Sequence, residues 1–186
     1  MKKLIFTAAV TTIALVCALP AMAQRQRVSP HETIGAVISG DRVTITYGRP
    51  YTTKPGTTEA RKIWGGLVPY GEPWRMGADE ATTLITQQPI EIGGKTIPAG
   101  AYTLYMVPEE NGASQLAIST RLGAWGIPVD TKHDLARVDL TKETLEKPVE
   151  QFTMVVAKNP DGGGVLKLMW ENTQFSVPFT VQKSNK

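Results

Sequence analysis

Cysteine is nearly missing from the 186 residues, and the single one, Cys17, falls in an N-terminal segment that reads as an export signal. Met1-Lys2-Lys3 gives a positive start, Leu4 to Leu19 an almost uncharged apolar run, and Ala21-Met22-Ala23 a small-x-small cleavage site, the three parts of a secretory signal. The run is about 16 residues and meets Pro20, short of the roughly 20 a membrane span requires. Cleavage after Ala23 leaves a chain without a thiol, which excludes disulfides, thiolate-held zinc, iron–sulfur clusters and a cysteine nucleophile. Lipid attachment at Cys17 is disfavoured, because Leu15-Val16 lacks the small residue such processing needs. The expected location is therefore periplasmic or secreted, with residues 1–23 as signal and 24–186 as a single domain.

Charge of one sign is also lacking. Past position 23 the chain carries 18 Lys and Arg against 17 Asp and Glu, a balance that excludes nucleic-acid binding driven by net charge. No later segment approaches 18 uncharged apolar residues, so no transmembrane segment is expected in the mature chain. Only two histidines are present, His31 and His133, too few for a histidine-rich metal site. No cofactor and no metal are implied.

Strand periodicity is abundant instead. In Arg42-Val43-Thr44-Ile45-Thr46-Tyr47 the apolar side chains occupy alternate positions, as they do at Phe175, Val177, Phe179 and Val181, the period of a half-buried strand. Similar runs lie at 34–39, 81–87, 101–107, 115–120, 135–140, 149–157 and 165–171, separated by Gly40-Asp41, Gly93-Gly94, Asn111-Gly112 and Asp161-Gly162 turn signals. Nine or ten short strands without a helical period predict an all-β fold, a single antiparallel β-sandwich or jelly roll. Residues 141–147 are read as one short helical turn.

Alternation stops between 48 and 80. A loop this long in a compact domain is functional or disordered, and disorder is disfavoured because 47–74 holds five of the 12 aromatics that follow position 23. The segment mixes cations with rings: Arg49, Arg61, Lys62 and Arg75 among Trp64, Tyr70 and Trp74, followed by Asp79 and Glu80. One reading is structural, in which the rings are buried and the carboxylates neutralise two arginines. The other is a cleft in which arginines anchor and rings stack on a sugar or small anionic ligand. Three arginines exceed what two nearby carboxylates can pair, so at least one is expected to face solvent, a ligand or a partner.

Other chemical motifs fail on their spacing. His31-Glu32-Thr33-Ile34-Gly35 lacks the second histidine of a zinc-binding helix, and Gly94-Lys95-Thr96 lacks the upstream glycine of a phosphate loop. Adjacent Asp79 and Glu80 point to opposite sides if extended, so they cannot by themselves flank a glycosidic bond. Three functional readings follow: a non-enzymatic exported binding or accessory module, a glycan hydrolase drawing acid and base from Asp79, Glu80 and His31, or an envelope scaffold whose aromatic loop meets an envelope protein.

The segments Ser29-Pro30-His31-Glu32, Tyr47-Gly48-Arg49-Pro50 and Arg61 through Thr82, with Ile97-Pro98-Ala99-Gly100-Ala101-Tyr102 and Val149-Glu150-Gln151-Phe152-Thr153, resemble the domain of unknown function 2911 family of exported bacterial proteins. The resemblance covers nearly all of the chain past the signal. It implies no catalytic residue, because the family has no assigned activity. Many relatives have Asn where this chain has Asp79, which argues against a family mechanism that needs a carboxylate there.

Overall fold

The computed structural model describes residues 27–182. The expected signal and its cleavage at Ala23 lie outside the described residues. Ten strands form: β1 His31–Ile38, β2 Asp41–Gly48, β3 Thr82–Thr86, β4 Ile90–Ile92, β5 Lys95–Ile97, β6 Gly100–Val107, β7 Gln115–Ser119, β8 Asp134–Asp139, β9 Thr141–Lys158 and β10 Gly164–Val181. They pair antiparallel into a six-stranded sheet of order β1-β2-β3-β6-β7-β8 and a four-stranded sheet of order β5-β4-β10-β9. The two sheets pack face to face without closing into a barrel, so the all-β sandwich stands. Among the described residues no helix is long and apolar enough to cross a membrane.

The alternation in the sequence sets which side chains meet between the sheets. Val43, Ile45 and Tyr47 of β2 point inward, beside Leu84, Leu104 and Met106 and opposite Phe152, Met154, Leu166 and Leu168. Asp41, fully buried at the start of β2, accepts from Thr86 Oγ1 at 2.7 Å and from the Gln87 and Gln88 amides at 2.9 and 3.0 Å. One carboxylate thereby satisfies the turn that leads from β3 into β4.

The helical turn expected at 141–147 does not form. Thr141 and Thr144 pair with Ser176 and Thr173 of β10 instead, a role suited to their branched Cβ atoms. Pro148, which has no N–H to give a ladder, falls where the β9–β10 register shifts around Glu171, itself at φ 50°.

The segment between β2 and β3 contains no strand, as its lost alternation predicted, and it bridges both sheets. Its first part bonds to β9, with Thr52 N to Glu150 O at 2.7 Å and Phe152 N to Pro50 O at 2.9 Å. Its last part lies along β6, where Trp74 and Met106 exchange backbone bonds of 2.7 and 2.9 Å. Ile63, Val68 and Met76 between these anchors are completely buried, so the segment plugs one end of the sandwich.

Candidate functional site

The plug is held by rings. Trp74 stacks on Trp170 of β10 with centroids 5.7 Å apart and planes 19° apart. Trp64 meets Trp74, Trp170 and Phe175 edge-on at 5.9, 6.4 and 5.2 Å, and Phe152 meets Trp74 at 5.0 Å. Tyr47 donates from its hydroxyl to Glu32 at 2.9 Å and accepts from the Met154 amide at 2.9 Å. Burial, joined by the Glu32 carboxylate, pushes its phenol up to about 12.

Arg49 belongs to this scaffold. It pairs with Glu32 at 3.2 Å and donates to Phe152 O at 3.1 Å and Thr153 Oγ1 at 2.9 Å. Lys62 is exposed, and the half-buried Tyr70 ring lies against Gly65, where an added Cβ would sit 2.7 Å from it. Trp64 is absorbed into the aromatic cluster.

Asp79 and Glu80 turn elsewhere. The 76–80 turn crosses Gly48 so closely that a Cβ there would lie 2.1 Å from Ala78 O, and Met76 and Asp79 adopt φ of 56° and 63°. Asn and Asp tolerate that left-handed region better than other side chains. A backbone requirement thus accounts for either residue at position 79. The turn brings His31 Nε2 to 3.3 Å from Asp79 Oδ2 and 3.4 Å from Glu80 Oε2. Glu80 is also clasped by both terminal nitrogens of Arg27, at 2.7 and 2.5 Å, and that bond holds its carboxyl below the usual range.

Arg61 and Arg75 remain without a carboxylate within ion-pair reach among the described residues. Both line a cleft of about 330 Å³ whose walls also include Tyr51, Lys54, Trp74 and Trp170. No Asp or Glu lines it; Lys54 reaches outward to Glu59 at 2.5 Å. Arg61 donates from Nη2 to the Tyr51 carbonyl, while its Nε is buried and unpartnered. The Trp170 indole N–H is likewise buried without an acceptor. Among the described residues only one other buried side-chain polar atom, Asp134 Oδ1, is in that condition. Arg75 donates to Trp125 O at 3.2 Å and places its guanidinium 5.8 Å from the Trp125 ring. Burial lowers its pKa, with Asp79 and Glu80 acting against that from a distance.

Of the residues expected from the sequence, Arg61, Trp74 and Arg75 therefore converge on one cleft. Arg49, Lys62, Trp64, Tyr70, Asp79 and Glu80 are not in its lining. Tyr51, Lys54 and Trp170 are, and sequence reasoning did not select them. Trp170 sits at an inward position of an alternating strand and reads as core, so nothing local marks its free N–H. Tyr51 and Lys54, next to the selected Arg49, were within reach of the same loop argument.

A protein-family model described as a protein of unknown function (DUF2911) matches residues 29–179. No curated protein and no solved structure matches the chain. The match spans both sheets, the plug and the cleft, and the chain belongs to the DUF2911 family.

Proposed function

We propose that the protein is a non-enzymatic exported binding module that takes an anionic small molecule or acidic sugar in the cleft over the 48–80 segment. The observation that carries this reading is the lining: Lys54, Arg61 and Arg75 with no carboxylate, the two arginines having no ion-pair partner among the described residues. An anion bound between the two guanidinium groups supplies the negative charge that the lining lacks. Charge-assisted bonds from a guanidinium to a carboxylate or sulfate are about twice as strong as neutral ones. Trp74 gives the ligand an apolar wall.

The hydrolase reading has less behind it. His31, Asp79 and Glu80 do assemble, yet Glu80 is taken by Arg27 and none of the three lines this cleft.

The test is a titration of the purified protein with sulfate, citrate and galacturonate, followed by tryptophan fluorescence, since Trp74 and Trp170 line the cleft. At least one anion is expected to change the emission saturably, and Arg61→Met to abolish the response while the protein stays folded. Silence toward all three at millimolar concentration, or binding that survives Arg61→Met, would overturn the reading.

A further inference from the structure

A second cleft, of about 440 Å³, lies over the outer face of β6 and β7 and is roofed by the 121–132 loop. Arg75 and Ile127 line both clefts, which therefore adjoin across these two side chains. Gly126 makes this join close: a Cβ there would lie 3.0 Å from the Arg75 Cβ. The second cleft adds Arg121 and Lys132 to the cations, and one carboxylate, Asp130, which Arg121 already engages.

The apolar surface is concentrated along the same line. Nine large apolar side chains are exposed among the described residues, and five of them, Val28, Tyr51, Leu67, Trp125 and Ile127, line one or both of these clefts. Trp125 is 57 % exposed although it spends its carbonyl on Arg75. Exposed apolar side chains interspersed with cations mark a recognition surface.

We propose that the two clefts form one groove for a linear acidic oligosaccharide, a chain of uronate units. This rests on the anion-binding reading of the first cleft and extends it to the ligand's length and class. Such a chain repeats a flat apolar ring face and a carboxylate, the two features that exposed indoles and guanidinium groups recognise. Arg61 holds one carboxylate, Arg75 a second at the junction, and Trp125 stacks on a ring beyond it, with Arg121 and Lys132 providing positive field. An acidic peptide fits less well. The groove's floor is Thr103, Tyr105 and Ser119 on β6 and β7, strands already paired on both sides, so an extended peptide finds no free strand edge to join.

The experiment is calorimetric titration of the purified protein with galacturonic acid and its oligomers of increasing length, beside glutamate oligomers of matched charge. Affinity is expected to rise about tenfold or more, some 1.4 kcal/mol, from the monomer to the longer uronates. Trp125→Ala, a change at an exposed ring, is expected to erase that gain, whereas Arg61→Met abolishes binding at every length. If the monomer binds through Arg61 but length adds nothing, the groove is refuted and the first cleft stands. If glutamate oligomers show the same Trp125-dependent gain, the assignment to a glycan fails. If no uronate of any length binds, both readings fall.

Discussion

The two halves of the sandwich core are built from different side chains and leave different residues of unsatisfied chemistry. The half around Val43, Leu84, Ile90, Leu116 and Leu166 is aliphatic, with an internal void of only about 20 Å³, and its buried carboxylate, Asp41, has three donors. The other half is aromatic and is closed by the long segment between β2 and β3. There two buried donors lack acceptors and two arginines lack carboxylates. Rings explain the difference in part: each indole brings an N–H that packing alone need not satisfy, and while Trp64 finds the Trp170 carbonyl, the Trp170 N–H finds no acceptor. The aliphatic half leaves its buried polar groups satisfied, whereas the aromatic half keeps two of them without partners.

The strongest way to break that contrast is to ask whether the plug carries global stability. Trp74→Ala removes the stack on Trp170 and the contacts with Trp64 and Phe152, and because the ring is half-buried it is expected to cost about 3 kcal/mol, the low end of the range for deleting a large ring. Leu166→Ala in the aliphatic half is expected to cost about 2–5 kcal/mol. Urea unfolding followed by circular dichroism measures both in one cooperative transition. Were Trp74→Ala to leave the midpoint unchanged, the plug would be a loosely docked flap and the cleft it forms would lack rigid walls.

The contrast was only half legible in the sequence. Strand alternation located both sheets because period-two burial acts locally: each of Val43, Ile45 and Tyr47 declares its face. The break of pattern after Gly48 located the plug for the same reason. Partnering is not local. Arg49 and Arg61 are both arginines in one aromatic loop, yet Arg49 finds Glu32 on β1 and a carbonyl and a threonine hydroxyl on β9, while Arg61 finds a carbonyl ten residues away. Asp79 and Glu80 looked like the loop's own counter-ions and instead meet His31 and Arg27. The 141–147 segment misled because its charged residues carry no core pattern, and only pairing with β10 fixes it.

Tyr47 sharpens the comparison at intermediate size, since its hydroxyl both donates and accepts within the aromatic half. Tyr47→Phe leaves the Met154 amide without its acceptor and is expected to cost about 1–3 kcal/mol. The wild-type phenol stands near 12 in the fold against about 10 in the unfolded chain. Folding therefore favours the neutral phenol. Its stabilising contribution is complete below about pH 10 and is lost as the pH rises toward 12. Melting temperatures taken across that window are expected to fall in wild type and to fall less steeply in Tyr47→Phe; equal slopes would mean the hydroxyl is already solvated.

The smallest expected effect on stability decides most about the site. Arg49→Met removes an ion pair with Glu32 and two further bonds, and because the pair is partly exposed its loss is expected at about 1–2 kcal/mol. Arg61→Met removes one bond to the Tyr51 carbonyl, which an exposed residue recovers from water, and it also removes a buried N–H that has no acceptor. The methionine stem fills much of the same volume. The change is expected to be neutral or stabilising by up to about 1 kcal/mol, as when an uncompensated polar group gives way to an apolar one. Urea midpoints of the two variants, measured side by side without added anion, test this. A loss at Arg61 as large as at Arg49 would place Arg61 in the scaffold and leave the cleft without its anchor. A neutral Arg61 beside a costly Arg49 separates an arginine kept for folding from one kept for a ligand.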